Sequence, residues 1–524
     1  MRYGFVIDNR KCIGCHACST ACKSENDVPV GVNRTWVKYT ETGSYPDVTR
    51  HFQVTRCNHC ENAPCARICP VTAMYQRPDG IVEFDSERCI GCKACIQACP
   101  YDAIFIDPET KSASKCHFCA HRTDIGLEPA CVVVCPEHAI IAGDIDNPKS
   151  EISQILSKEK ISVRKPEQGT SPKLFYIEGH DSALQPTATP SAKNYMWAEP
   201  QEPKDPLPGT SKSQGIAGEQ NIHIGHRLAG QMVQTGYNAD HKLYWHWQVP
   251  AYMMTKAVAS GLFLVTVLLQ FLTNNLISNT APALISLIFT GITTALLVAD
   301  LEHPTRFLYI VFRPQWRSWL TRGAFILIAF SLFSTYWLFA SFFDERFIYN
   351  LSTPLLTVGS LLALGTACYT AFLFGQAEGR DLWQSPLLPI QFIVRSVLLG
   401  AATYWFIALA LDAESTLHLV EWIILFSVII DFAMVTLGEF AMPHSSEVAA
   451  RAAKLMRTGH YRKLTIGLWL CVGCFLPVIF LGLIPANVEN TPLILKGIAV
   501  MAVFVGLAAY EYAFIEAPQK IPNS

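Results

Sequence analysis

Four groups of four cysteines lie within the first 135 residues of this 524-residue chain. The groups are Cys12, Cys15, Cys18 and Cys22; Cys57, Cys60, Cys65 and Cys69; Cys89, Cys92, Cys95 and Cys99; and Cys116, Cys119, Cys131 and Cys135. The first and third groups have the spacing C-x2-C-x2-C-x3-C, in which three thiolates on a tight loop hold three irons of one cubane. We expect the fourth cysteine to open a helix and to ligate a partner cluster. The sequence therefore predicts four [4Fe–4S] clusters.

Other cysteine chemistries fit this spacing less well. A structural zinc ion uses cysteine pairs, and the dense run at residues 12–18 would overcrowd its tetrahedron. Disulfides require an oxidising compartment, and residues 1–8 show neither the apolar core nor the twin arginine of an export signal. Residues 12–16 match a covalent haem attachment pattern, but those cysteines already belong to a ferredoxin run and Lys93 replaces His16 in the repeat at residues 89–99.

The chain has two regions of different composition. Only 16% of residues are charged, against about a quarter in typical soluble domains, and the deficit lies after residue 245. The net charge of −2, without a basic stripe, argues against nucleic acid as a partner. We predict an α+β, double ferredoxin-like domain over residues 1–150 and an extended linker, rich in Pro, Ser, Lys and Glu, over residues 151–240.

Residues 241–524 are predicted to form an all-α bundle of eight transmembrane helices. Apolar runs of about 20 residues, the length that a spanning helix requires, centre near residues 260, 288, 330, 364, 400, 428, 473 and 504. Cys368, Cys471 and Cys474 lie in these runs, and Cys471 and Cys474 are expected to pack between helices. The runs hold too few histidines for the paired axial ligands of a b-type haem.

The four cysteine groups, in this order, resemble the electron-transfer subunit of the dimethyl sulfoxide reductase family. The resemblance covers residues 1–150 and implies that the groups pair first with fourth and second with third. The implied ligand sets are Cys12, Cys15, Cys18 and Cys135; Cys22, Cys116, Cys119 and Cys131; Cys57, Cys60, Cys65 and Cys99; and Cys69, Cys89, Cys92 and Cys95. It also implies a separate catalytic subunit that contains a molybdenum or tungsten pterin.

The apolar half resembles the membrane subunit of polysulfide reductase (NrfD type), a quinone-binding anchor of eight helices. The similar stretches are residues 300–307, 316–323, 383–389 and 514–524. This sequence departs from the family pattern at Glu511, where arginine is common, and at Pro518, where glycine is common.

A few polar residues beside the first two apolar runs are candidates for binding menaquinone or ubiquinone. Tyr252 and Lys256 share one helix face, and Asp300, His303 and Arg306 follow the second run. Hydrogen-bond donors for the quinone carbonyls, next to an acid that passes protons, fit such a site. Alternatively, Lys256 snorkels to the interface, and His303 and Arg306 only cap a helix at the lipid headgroups.

Basic residues are concentrated in the loops on one side of the predicted bundle. That side is shared by both ends of the chain and carries Arg306, Arg313, Arg317, Arg322, Arg380, Arg451, Lys454, Arg457, Arg462 and Lys463, whereas the opposite loops offer little beyond Arg346 and Lys496. Because cytoplasmic loops are enriched in Lys and Arg, we expect an inner-membrane protein with its clusters on the cytoplasmic side.

These features together predict an electron-transfer and anchor subunit that links the quinone pool to a molybdopterin-containing catalytic partner. The chain would be a component of an oxidoreductase, with a possible quinol oxidation site, rather than a complete enzyme. One alternative is a hydrogenase-associated quinone-reducing subunit. Another is a redox-driven ion-translocating module, favoured by Arg395, Asp431 and Glu439 in or near apolar runs, although structural ion pairs explain those residues equally well. A membrane-tethered redox sensor leaves the number of clusters unexplained.

Overall fold

A computed structural model describes residues 1–44, 47–188, 222–224, 227–229, 233–273, 279–342, 352–411, 413–483 and 492–524. It divides into two compact units. The first comprises residues 1–242 with Ala377–Arg380 and Lys520–Ser524, and the second comprises Leu243–Gln376 and Asp381–Gln519.

The first unit contains short strands and helices separated by cysteine-bearing turns. Its strands are β1 (Tyr3–Asp8), β2 (Thr35–Ser44), β3 (Asp47–Arg56), β4 (Met74–Gln76), β5 (Val82–Phe84), β6 (Ile104–Ile106), β7 (Ala113–Lys115), β8 (Ile140–Asp144), β9 (Ile161–Ser162), β10 (Leu174–Ile177), β11 (Ile222–Ile224), β12 (Arg227–Ala229) and β13 (Val233–Tyr237). Its helices are α1 (Ala17–Glu25), α2 (Pro64–Ile68), α3 (Ala94–Ala98), α4 (Ala120–Thr123), α5 (Ala130–Val133), α6 (Glu151–Lys158) and α7 (Asp181–Leu184).

Two sheets and several hairpins organise these elements. The largest sheet has the order β8-β1-β10-β9, and a three-stranded sheet has the order β13-β2-β3. Strand β1 pairs parallel with β10 and antiparallel with β8. Val6, Ile141, Ile152 and Ile177 form a buried apolar cluster on the larger sheet, and burial of such side chains is the main stabilising term.

The predicted extended linker over residues 151–240 is wrong for its described part up to residue 188. Strand β10 lies inside the largest sheet, because Leu174 and Ile177 are buried and its main chain pairs with that of β1. Helix α6 begins at a Ser150 cap that accepts a hydrogen bond from the Ser153 N–H, 3.3 Å away. Residues 189–221, 225–226 and 230–232 of the predicted linker lie outside the described residues.

The second unit confirms the predicted all-α membrane half. Among the described residues, eight helices are long and apolar enough to cross a membrane. In sequence order these spans are Gln248–Thr273, Thr280–Ala299, Trp319–Ala340, Leu356–Gln376, Leu388–Ala410, Thr416–Ala441, Lys463–Gly482 and Leu493–Gln519. The first and fifth spans approach closely where two glycines meet, since a Cβ built on Gly261 would lie 1.7 Å from the Ser396 carbonyl oxygen.

The segment Lys520–Ser524 is packed into the first unit. Asn523 and Ser524 are 0% and 1% exposed. Lys38 Nζ donates to the Ser524 carbonyl oxygen at 3.1 Å, and Lys165 Nζ donates to Asn523 Oδ1 at 2.5 Å. Arg164 donates to the Asn523 carbonyl oxygen. Buried basic side chains, Lys38, Arg164 and Lys165, therefore hold a segment that is more than 300 residues away in sequence.

Candidate functional site

The two ferredoxin-like runs have the same backbone conformation. His16 and Lys93 occupy the left-handed region with φ of 62° at both positions, and Gly14 and Gly91 do so with φ of 69° and 71°. Left-handed backbone at a non-glycine residue is uncommon, so its recurrence at equivalent positions supports the internal duplication. In both runs the helix begins just after the left-handed residue, and the fourth cysteine lies within or after that helix. The expectation that the fourth cysteine opens a helix is wrong.

One cavity in the first unit is lined by the four cysteines of an implied ligand set: Cys22, Cys116, Cys119 and Cys131. These cysteines come from α1, from the turn before α4 and from α5, so distant parts of the chain meet here. A second cavity is lined by Cys69, Cys89, Cys92 and Cys95. Each cavity thus combines three cysteines of one group with one cysteine of another, which is the arrangement that the resemblance implies.

The remaining eight cysteines are also grouped, as their mutual electrostatic interactions indicate. Cys12 interacts with Cys15 and Cys135, and Cys18 interacts with Cys131 and Cys12. Cys65 interacts with Cys57, Cys60 and Cys99. All of these neighbours except Cys131, which lines the first cavity, belong to the other two implied sets. Among the described residues no three His, Cys, Asp or Glu side chains converge on a single metal ion.

Burial disfavours the thiolate form at two cysteines of the first group. Burial raises the pKa of the Cys18 thiol to about 11 and the pKa of the Cys22 thiol to about 12. Iron binding displaces the thiol protons, so metal uptake stabilises the fold. Donors are already in place: the Ala73 N–H points at Cys69 Sγ across 3.2 Å, and the Ala139 N–H points at Cys135 Sγ across 3.2 Å. The residues therefore fit [4Fe–4S] clusters.

Exposure of the sixteen cysteines is uneven. Cys15 is exposed, Cys12, Cys92 and Cys135 are half-buried, and the other twelve are buried. Three apolar side chains near these residues in sequence, Ile13, Val133 and Val134, are 57%, 57% and 40% exposed in the first unit.

In the second unit, Tyr252 and Lys256 are buried on one face of the first span, where Lys256 is 3% exposed. Lys256 Nζ donates to the Ala367 carbonyl oxygen at 3.1 Å and to Thr370 Oγ1 at 2.6 Å. The ammonium also lies over the Tyr369 ring, 4.6 Å from its centroid. The lysine therefore turns into the helix bundle, and the snorkelling alternative does not hold.

Asp300, His303 and Arg306 follow the end of the second span. Asp300 caps the helix Thr280–Ala299 through its main chain, and a short 3-10 turn, Pro304–Arg306, comes next. All three residues are partly exposed. The hydrogen bonds of the Lys256 ammonium go to the fourth span. The structure places Asp300, His303 and Arg306 together at the end of the second span.

An ion-pair network in the second unit joins residues that lie far apart in sequence. Arg395 donates from Nε to Asp431 Oδ1 and from Nη1 to Glu511 Oε1, both at 2.8 Å. Tyr510 donates to Glu439. No local pattern could have paired Arg395 with Glu511, because the two are 116 residues apart.

Sequence reasoning also missed Arg56 in the first unit. This side chain is 0% exposed and lines the cavity of Cys22 and Cys131. The sequence feature that could have identified Arg56 is its position at the end of β3, directly before Cys57.

Known proteins match both halves of the chain. Residues 48–145 match a 4Fe-4S dicluster domain, and residues 236–523, more than half of the chain, match polysulphide reductase, NrfD. A tetrathionate reductase subunit of Salmonella typhimurium is 47% identical over 203 residues, 38% of this chain and 80% of that protein. A polysulfide reductase component of Wolinella succinogenes is 45% identical over 179 residues, 34% of this chain and 94% of that protein. The arsenate respiratory reductase iron-sulfur subunit of Shewanella sp. is 36% identical over 225 residues, 34% of this chain and 96% of that protein.

These matches confirm two predictions at a coarse level. The first unit is an iron–sulfur region, and the second makes the chain a multi-pass membrane protein.

Proposed function

The protein belongs to the polysulphide reductase NrfD family, and on that premise we propose that it passes electrons between the quinone pool and a separate molybdopterin-containing catalytic subunit. The observation that carries the proposal is the presence, in one chain, of cysteine-lined cavities and of a buried polar face on a membrane span. An electron-transfer chain needs a donor at one end and an acceptor at the other. The family resemblance implies that quinone is one of these two.

We propose that the sixteen cysteines hold four [4Fe–4S] clusters in the cross-paired sets named above. Each cluster, when bound, takes up and releases one electron. The chain's own part is to hold the clusters at fixed positions, to exclude water with the buried cysteines and to offer N–H donors to the sulfurs.

At the membrane terminus, Tyr252, Lys256, Asp300, His303 and Arg306 are the proposed quinone-binding residues. Quinol oxidation releases two electrons and two protons. The Lys256 ammonium is a donor for a quinone carbonyl, and Asp300, at the end of the second span, is an acceptor for a released proton. Menaquinone and ubiquinone share this carbonyl chemistry.

The partner follows from the names of the relatives, which are components of tetrathionate, polysulfide and arsenate reductases. We propose that electrons leave near Cys15, the exposed cluster cysteine; Ile13, two residues earlier in sequence, is an exposed apolar side chain suited to a protein contact. Metal analysis of the co-purified large subunit discriminates the partners: molybdenum or tungsten supports the proposal, and nickel supports the hydrogenase alternative.

The proposal is tested with membranes that hold the intact chain. Quinol is added anaerobically and the clusters are followed by electron paramagnetic resonance (EPR), with and without a quinone analogue. Reduction that the analogue blocks is the expected result. If quinol reduces the clusters equally fast with and without the analogue, the chain has no such quinone site. Iron content far below about sixteen atoms per chain would contradict the presence of four clusters.

We place the clusters on the cytoplasmic side of the inner membrane, because the basic loops lie on the side of the chain ends. Protease added to intact, osmotically shocked cells tests this placement. Protection of the first unit is expected, and its cleavage while the inner membrane stays sealed would reverse the assignment.

A second candidate function, ion translocation, rests on the Arg395–Asp431–Glu511 network. Buried ionisable groups in a membrane span are costly and commonly functional. Proteoliposomes decide between the two functions: loss of proton uptake in Asp431→Asn, with electron transfer intact, favours translocation, and unchanged uptake favours a structural ion pair.

A further inference from the structure

Arg56 is a fully buried cation in the first unit, and its surroundings lack a counter-charge from the protein. Its Nη1 donates to Cys131 Sγ across 3.0 Å. Its Nε and Nη2 have no hydrogen-bond partner, and no carboxylate pairs with the guanidinium, in the described part of the chain. A buried charge without compensation is strongly destabilising. A negatively charged group in the adjacent cavity would supply both the missing charge and the missing acceptors.

The guanidinium also has cysteines of two implied ligand sets among its neighbours. Its electrostatic neighbours are Cys18, from one cysteine set, and Cys116 and Cys131, from another. The ring of Phe5 packs against it, with its centroid 4.6 Å from Cζ. This contact restricts the guanidinium, so its free N–H groups have defined directions.

The second cavity, of Cys69, Cys89, Cys92 and Cys95, is lined by Lys93 but by no guanidinium. There the sulfurs accept main-chain donors, as from Gly91 and Ala113 to Cys89 Sγ, both at 3.4 Å. The contrast shows that an arginine such as Arg56 is not a general requirement for a cysteine-lined cavity in this fold.

We propose that Arg56 is a redox-tuning residue, which donates hydrogen bonds to the cluster of Cys22, Cys116, Cys119 and Cys131 and raises its reduction potential. The inference rests on the proposed function, because it assumes a cluster at that site. If the cluster at that site takes up an electron, the fixed positive charge of Arg56 would stabilise the added negative charge. No bond changes and no proton leaves the guanidinium, which stays protonated in proteins.

The first test is a redox titration of the full chain followed by EPR, with Arg56→Gln, Arg56→Lys and Arg50→Gln. Arg50 lies on the same strand but is 53% exposed and paired with Glu41. Arg50→Gln therefore removes the same charge as Arg56→Gln, but at a position outside the cavity lining. The expected result is a shift of one cluster signal to lower potential in R56Q, a smaller shift in R56K and none in R50Q. Unchanged potentials in R56Q, or equal shifts of all signals, would overturn the proposal.

A second test needs no change at Arg56 and so does not depend on how R56Q folds. Protein grown with ¹⁵N-arginine is reduced stepwise, and hyperfine spectroscopy looks for ¹⁵N coupling to each cluster signal. Coupling to one signal that persists in Arg34→Lys supports Arg56 as its source. Absence of coupling, or coupling that disappears in R34K, overturns the assignment, because Arg34 lines the same cavity. Iron content separates the outcomes: protein without iron refutes the proposed function, whereas full iron without coupling refutes only this inference.

Discussion

The main-chain N–H of Asn523 donates a hydrogen bond to Oδ2 of Asp102 across 2.5 Å. The same carboxylate faces Arg380, with Oδ1 3.4 Å from Nη2, and His241, with Oδ2 3.6 Å from Nδ1. Burial alone would raise the pKa of Asp102, yet Arg380 and His241 hold it below its ordinary value. One buried carboxylate thus joins three separate segments of the first unit.

Asp102→Asn is expected to destabilise the first unit by about 3–5 kcal/mol, because it leaves the Arg380 guanidinium buried without its counter-charge. Thermal bleaching of the cluster absorbance measures the change. Asp124→Asn is the control, since Asp124 is 52% exposed and pairs with Arg77 at the surface; its expected effect is below about 1 kcal/mol. Equal effects of the two variants would contradict the role of Asp102.

Lys38→Met is expected to weaken the pH dependence of the free energy of unfolding between about pH 7 and 10. Burial, and secondarily the charge of Arg164, lowers the pKa of Lys38 to about 7. The folded state therefore binds fewer protons than the unfolded state between about pH 7 and 10, so stability gained from this site rises with pH in that window. Unfolding of K38M followed across this range should show a smaller rise, and an unchanged slope would refute the assignment.

Cross-pairing of the cysteine groups predicts which cluster a single substitution damages. Cys22→Ser should alter the EPR signal of the cluster that Cys116→Ser also alters, and should leave the signal affected by Cys15→Ser intact. The reason is that Cys22 lines the cavity of Cys116 and Cys131 despite its sequence position next to Cys18. If C22S and C15S affect one common signal, the groups pair locally and the proposal fails.

Lys256→Met should slow reduction of the clusters by quinol about tenfold or more, since a hydrogen bond to a charged group contributes about 1.5–3 kcal/mol. Reduction by dithionite should not change. Lys496→Met is a matched control, because Lys496 pairs with Glu421 at 2.9 Å instead of facing the predicted site. Slowing of both reductants in K256M would point to misfolding rather than quinone binding.

Gly261→Ala tests the packing of the first and fifth spans. The added Cβ would lie 1.7 Å from the Ser396 carbonyl oxygen, so the helices must separate. Gly291→Ala is the control, because a Cβ there meets nothing within 4 Å. We expect a lower melting temperature for the membrane unit in G261A and either no change or a slight rise in G291A, where glycine in a helix is unfavourable by about 1 kcal/mol. Equal melting temperatures of the two variants would contradict the close approach.

Features that depend on local spacing or on long apolar runs could be predicted from the sequence. The ferredoxin-like turn at residues 12–18 and the eight spans belong to this class. Prediction failed for residues 174–177, a short strand whose partner β1 lies more than 160 residues earlier and whose flanking Pro and Lys residues look like a linker. The contacts of Arg395 with Glu511 and of Asp102 with Asn523 escaped for the same reason, since no local pattern encodes a pairing between distant positions.

The buried position of Asn523 imposes an order on biosynthesis. Asp102 and Asn523 are 421 residues apart in sequence, and all eight spans are made between them. The ribosome therefore delivers the cationic residues Lys38, Arg164 and Lys165 long before the segment that covers them. Until the eighth span has been synthesised, the partners of Asn523 in the first unit, Asp102, Arg164 and Lys165, lack these contacts.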